Sequence, residues 1–314
     1  MKRSTLGYLL VLIGLIAIIY MAGANGKNLF DGALSAVFKK VNIEQAVDVS
    51  AVNKVVIETG SINVHVQQGS GSQAVVHLQG HSGRSFDDIG IKVNGDTLEI
   101  KPNWKKRFIL SFSNVKLNVQ LPEKLWDELE VETGSGNIVI DNINSDEIEL
   151  DASSGNITAS KLKANDLSVK ASSGQLKLSQ LESGSASLKT SSGNIRLEDY
   201  MFDKLSANAS SGNIKLIDGQ AELDGKTSSG NISVDSAELM HDMTLQASSG
   251  NIEVIVDQTP QSLAVDYRGG SGRGRIQKDG FVYEDDDHDR IVGTFGNGEV
   301  KLKARTSSGN FTLK

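Results

Sequence analysis

From about residue 129 to the C-terminus, apolar and polar residues alternate with a period of two, and a short Ser-Ser-Gly-Asn segment or a variant interrupts the alternation at regular intervals. The glycines of that segment stand at 136, 155, 174, 193, 212, 230 and 250, so successive repeats are 19, 19, 19, 19, 18 and 20 residues long. Period-two alternation marks strands with one buried face, and a near-constant period marks a stacked unit. The inward positions lie seven, five and three residues before the glycine and two and four after it. In one unit these are Leu167, Val169, Ala171, Leu176 and Leu178, with Leu181 beyond; in the next they are Ala186, Leu188, Thr190, Ile195 and Leu197, with Tyr200 beyond. Each unit reads as two short strands joined by a tight turn. The fold class is therefore all-β, a β-solenoid (β-helix) of about 19-residue rungs.

The turn residues carry further expectations. Glycine is expected at a position with φ > 0, where Gly193→Val costs roughly 1 kcal/mol or more. Stacked turns would align Asn137, Asn156, Asn194, Asn213, Asn231 and Asn251 in one column, with Gln175 keeping an amide in the gap. The small residues three before each glycine (Thr133, Ala152, Ala171, Thr190, Ala209, Thr227, Ala247) would let the chain bend.

The two ends deviate. Val55, Ile57, Thr59, Gly60, Ile62 and Val64 repeat the pattern with a shorter turn, and Asn94-Gly95 predicts a hairpin between Ile91-Val93 and Leu98-Ile100. A second hairpin is predicted at Asn297-Gly298, between Ile291-Val292 and Val300-Leu302. The last unit, through Gly309, Asn310 and Phe311, is expected to end the stack with Phe311 plugging the core.

A different pattern opens the chain. Lys2 and Arg3 precede an uncharged, mostly apolar run over residues 6–24, long enough to span a bilayer. This predicts a short cytoplasmic tail (1–5), a transmembrane helix or signal peptide (6–24), a juxtamembrane amphipathic segment (25–48) and an extracytoplasmic β-repeat domain (49–314). Tyr8 and Tyr20 suit the interfacial belt, and the positive tail favours a cytoplasmic N-terminus in a single-pass cell-membrane protein. Ala22-Gly23-Ala24 also fits a signal-peptidase site, which leaves a secreted form open. Leu29, Phe30, Ala33, Leu34, Val37 and Phe38 lie on one face of a predicted short helix.

Composition narrows the chemistry. The net charge of −7 over 314 residues argues against a nucleic-acid partner, since phosphate binding needs a clustered basic surface. The chain contains no cysteine, which removes disulfides, thiol catalysis and Cys-ligated zinc. The acidic run Glu284-Asp285-Asp286-Asp287-His288-Asp289 matches no calcium-loop spacing and reads as a solvated loop. Gly269-Gly270-Ser271-Gly272-Arg273-Gly274 lacks the Asp of the calcium-binding glycine-rich nonapeptide. His65, His77, His81, His241 and His288 are scattered, and Trp104-Lys105-Lys106-Arg107-Phe108 reads as a polar loop with the composition to touch anionic lipid or cell-wall polymer. No catalytic, cofactor-binding or metal residue is nominated, and no cofactor is expected.

The stretch Leu117-Asn118-Val119-Gln120-Leu121-Pro122, then Leu129 to Ile138 and the Ser-Ser-Gly-Asn-Ile units, resembles the bacterial putative-adhesin β-repeat family of unknown function (DUF4097-like) over roughly residues 50–314. With the N-terminal span the chain is similar to membrane-anchored LiaG-type members from Firmicutes. That resemblance implies a non-enzymatic role at the cell envelope, as an accessory in stress response or surface interaction, with an envelope protein or cell-wall polymer as partner. It supplies no site residues.

Overall fold

The computed structural model describes residues 39–82, 88–102 and 113–314, and among them there are strands and no helices. The tail, the span at 6–24 and the helix predicted around 29–38 lie outside the described residues. The N-terminal part contains β1 (Lys39–Asp48), β2 (Lys54–Thr59), β3 (Asn63–Gly69), β4 (Gln73–Ser82), β5 (Ile91–Asn94), β6 (Thr97–Ile100), β7 (Ser113–Pro122) and β8 (Trp126–Thr133). The middle consists of five long strands: β9 (Ile138–Ala152), β10 (Ile157–Ala171), β11 (Leu176–Thr190), β12 (Ile195–Ala209) and β13 (Ile214–Thr227). Then come β14 (Ile232–Ser236), β15 (Met243–Ala247), β16 (Ile252–Val256), β17 (Leu263–Arg268), β18 (Gly274–Ile276), β19 (Val282–Asp287), β20 (Arg290–Phe295), β21 (Val300–Thr306) and β22 (Phe311–Leu313).

Parallel pairing stacks the long strands at a register of one repeat, as in Leu176↔Ile195↔Ile214. The start of each long strand lies on one face and its end on another, and the inward residues of both meet in a single core from Val41 to Leu313. The inward positions read from the alternation, Leu167 through Tyr200, are all buried. The strand passes from the first face to the second through a corner at Asn142, Lys161, Gln180, Asp199 or Asp218, each with φ between 49 and 56°. It returns through the Ser-Ser-Gly-Asn turn. Each rung thus has a turn edge and a corner edge.

The turn glycine is required for a different reason from the one expected. Among the described glycines, φ is positive only at Gly80, Gly90, Gly95, Gly280, Gly296 and Gly298, none of which belongs to the repeated turn. Instead, a Cβ on Gly193 would lie 1.8 Å from the Gly174 carbonyl oxygen one rung away, and Gly155, Gly174, Gly212 and Gly250 face the same obstacle. The backbone stacks too closely for any side chain. Where the preceding residue of the turn is threonine, its buried hydroxyl ties the rungs together: Thr190 Oγ1 accepts from the Gly193 amide at 3.0 Å and donates to the Gly174 carbonyl at 3.1 Å. The asparagine column forms as expected, each asparagine Oδ1 accepting from the backbone amide of the next residue in the column, as Asn194 Oδ1 accepts from the Asn213 amide at 2.9 Å and Asn156 Oδ1 from the Gln175 amide at 2.9 Å. It extends past the predicted limits, to Asn63 at one end and to Asn310 and the Arg273 amide at the other. Among the described residues, no such bond joins Gln175 to Asn194.

Rung order departs from chain order at both ends. β2 and β3 sit between β6–β7 and β8–β9, and β4 joins β7 and β1 antiparallel. Strand structure is present from Lys39, within the segment assigned as juxtamembrane: Val41 and Val49 are buried and Ile43 and Val47 half-buried, the period of two of a strand with one buried face. The hairpin at Asn94-Gly95 is present, with Asn94 opposite Thr97. The one predicted at Asn297-Gly298 is not, because β17 lies between β20 and β21, antiparallel to the first and parallel to the second. Gly296 and Gly298 turn the chain across β17 instead. The final rung, β21–β22, is not terminal: it is inserted between β15–β16 and β17–β18. Phe311 is buried inside the stack, 5.1 Å from the Tyr267 ring, and the true end is closed by the β19–β20 hairpin with Phe281 packed on Phe295.

Side-chain size is matched from rung to rung. Tyr200 occupies the inward corner position held by Ile143, Leu162 and Leu181 in other rungs, and the rung above supplies Gly219, where a Cβ would fall 2.1 Å from the ring. Two outcomes are expected in chemical denaturation of the purified protein. Gly193→Ala lowers stability by about 2 kcal/mol or more, in the upper range of overpacking, because backbone has to move; wild-type stability would rule out the glycine-on-carbonyl approach. Gly219→Leu destabilises on its own but recovers most of the loss when combined with Tyr200→Leu, and additive losses would exclude a shared volume.

Candidate functional site

The residues singled out in the sequence do not converge. The acidic run forms β19 and its hairpin turn, an edge strand kept from pairing further by its charges, with Arg290 2.9 Å from Asp285. Gly269–Gly274 is the turn between β17 and β18, where Gly272 stacks on the Gly309 carbonyl as the repeat glycines do. His77 is 2.8 Å from Asn42 Oδ1 on the first face, and no group of three or more His, Cys, Asp or Glu is placed to hold a metal ion among the described residues. Trp104–Phe108 lies outside the described residues.

The concavity with convergent polar groups is on the corner edge near the N-terminal end. It is a cleft of about 580 Å³ between the β7–β8 connection, Pro122–Leu125, and the corners of three rungs. Buried Ile143 and Leu162 form its floor. The polar lining comes from Glu123 and Lys124 of the connection, from Gln68, Asn144, Lys163 and Glu182, and from the corner residues Asn142, Lys161 and Gln180. Its size falls within the range of small-ligand sites.

Each wall residue is placed by the fold. The Lys124 ammonium donates to the Val49 carbonyl at 3.2 Å and to the Val52 carbonyl, and sits 4.1 Å over the buried Trp126 ring, so it pins the β7–β8 connection. Burial pulls its pKa below the ordinary lysine value. Leu125 next to it is 55% exposed at the rim. Asn142 donates its side-chain amide to Gln68, and Lys163 pairs with Glu182 at 2.8 Å. Among the described residues, neither Lys161 nor Gln180 has a recorded hydrogen bond or ion pair.

The corner column holds the informative contrast. Asn142 inside the cleft and Asp199 and Asp218 outside it are residue types that tolerate left-handed backbone; the other two corners in the cleft use Lys161 (φ 53°) and Gln180 (φ 55°), at a cost of about 1 kcal/mol or more. Long polar side chains are kept where they reach the cleft, at a conformational cost. This column was legible only as a polar position six residues after each turn glycine.

The Toastrack DUF4097 family model matches residues 52–314. The chain belongs to this family. Among solved structures, the Toastrack chain is similar to a putative adhesin from Parabacteroides distasonis (14% identity, 87% of this chain and 98% of that one, TM-score 0.47). It is also similar to a putative lipid binding protein from the same species (22%, 87% and 97%, 0.44) and to a putative adhesin from Bacteroides fragilis (15%, 87% and 97%, 0.40). Comparison with curated proteins finds no match.

Relief of the corner strain gives a direct check. Lys161→Asn in this Toastrack domain raises stability by about 0.5–1 kcal/mol, since asparagine accepts the left-handed conformation. Loss of stability in a denaturant titration would show that the Lys161 side chain supports the fold.

Proposed function

We propose that the chain is a non-enzymatic binding protein of the cell envelope, held at the membrane by its N-terminal hydrophobic segment and presenting the rigid rung stack outside the cytoplasm. The observation that carries this reading is the corner cleft, where unpartnered Lys161 and Gln180 are maintained at a backbone cost beside Leu125 and the amides of Gln68 and Asn144. Such a lining suits recognition of a hydroxylated, partly anionic envelope component, a protein loop or a cell-wall polymer segment. Glu182 in the lining is held by Lys163, and the Lys161 ammonium and the side-chain amides are suited to holding a ligand. An accessory role in the envelope stress response follows from the resemblance to the LiaG-type members. The second reading, a secreted adhesin, is favoured by the small residues Ala22-Gly23-Ala24 at the end of the hydrophobic run.

Fractionation of producing cells separates the two readings. The anchored form is expected in the membrane fraction at full length, with its β-domain digested by protease added to intact cells. Recovery from the medium of a chain beginning at Asn25 would establish the secreted form, and protection of the β-domain in intact cells would defeat both.

A further inference from the structure

On the turn edge, four consecutive rungs carry the segments Lys170–Lys177, Lys189–Arg196, Asn208–Lys215 and Lys226–Ser233. The cations on either shoulder are stacked in register. Lys177, Arg196 and Lys215 are direct neighbours on the first face, and Lys170, Lys189, Asn208 and Lys226 are direct neighbours on the second. Adjacent rungs break the pattern, with Asp151 and Thr158 on one side and Gln246 and Glu253 on the other. Like charges placed directly opposite each other across parallel strands, about 4.8 Å apart, destabilise a sheet. Three of the cations have their charge offset by a carboxylate two residues further from the edge: Lys170 by Glu149, Arg196 by Glu198 and Lys226 by Asp224. Among the described residues, Lys177, Lys189 and Lys215 have no recorded partner. Between the two shoulders runs a flat ridge of exposed serine pairs, from Ser172-Ser173 to Ser228-Ser229, next to the asparagine column.

We propose that this edge is a binding site for a linear polyol-phosphate polymer lying along the stack axis, with its phosphates on Lys177, Lys189 and Lys215 and its hydroxyls on the serine ridge. Unpaired ammonium groups spread over three rungs on the two shoulders of the ridge select an extended polyanion over a compact one. The four segments contain no aromatic side chain, so nucleic-acid bases have nothing to stack on. The site lies on the opposite edge of the rungs from the corner cleft and does not depend on it.

The test is binding of the purified full chain in mild detergent to poly(glycerol phosphate) across a salt series. Three phosphate contacts predict a slope of log K against log salt of about −2. Lys177→Gln/Lys189→Gln/Lys215→Gln is expected to flatten that slope and weaken binding by roughly 10-fold or more, with thermal stability unchanged or raised as mutual repulsion is removed. A control triple, Lys54→Gln/Lys116→Gln/Lys303→Gln, keeps the wild-type slope. Wild-type binding and slope in the first variant would overturn the site. Tighter binding to phosphatidylglycerol vesicles than to the polymer through the same lysines would overturn it in favour of a membrane surface, and tighter binding to single-stranded DNA would overturn the polyol assignment.

Discussion

The whole stack rests on the approach of one turn glycine to the carbonyl oxygen of the glycine in the neighbouring rung. A side chain at Gly155, Gly174, Gly193 or Gly250 would have to occupy the position of that oxygen. This constraint sets the spacing at the turn edge, brings the asparagine side chains within reach of the next backbone amide, and lets the buried threonine hydroxyls bridge two turns. With one edge of every rung held this closely, the inward leucines and isoleucines fall in register, and size mismatches such as Tyr200 are absorbed by small neighbours such as Gly219.

The same regularity explains why chemistry is confined to the edges. The two faces are ladders whose backbone groups are used by neighbouring strands, and the outward side chains simply repeat. Variation costs least at the corner and the turn, where a residue can change without disturbing the core. The corner edge has Lys161 and Gln180 in place of the tolerant Asp199 and Asp218, and the turn edge has its cations in four successive rungs. A second polarity runs along the stack. Near the N-terminal end the second face gathers Glu58, Glu128, Glu130, Glu132 and Glu149, and burial, reinforced by these neighbours, pushes the Glu130 carboxyl above its ordinary value. The acidic and basic stretches occupy separate segments of one surface.

Local physics made much of this readable in advance. The 19-residue period, the inward positions of each rung and the Asn94-Gly95 hairpin all depend on neighbours in sequence, and they stand where the alternation placed them. The errors arose where distant parts of the chain decide. Nothing near Gly193 announces that its constraint is a carbonyl 19 residues earlier, because a left-handed turn and a steric approach both select glycine. The hairpin at Asn297-Gly298 has suitable turn residues, yet β17 enters the gap. The cleft needs the Pro122–Leu125 connection to pass over corners as far along the chain as Gln180 and Glu182, a proximity that only the stacked register creates.

The insertion of β21–β22 between β15–β16 and β17–β18 bears on how the molecule is made. A solenoid built by simple accretion could add each rung as it left the ribosome or crossed a membrane, and its last rung would be a dispensable end. Here β21–β22, made after β17 to β20, form the layer next to β17–β18, so those two strands have no parallel neighbour until Val300–Leu313 is in place. Closure of this part of the fold is thereby coupled to synthesis of a later segment, and a product cut before Val300 lacks an internal layer of the stack.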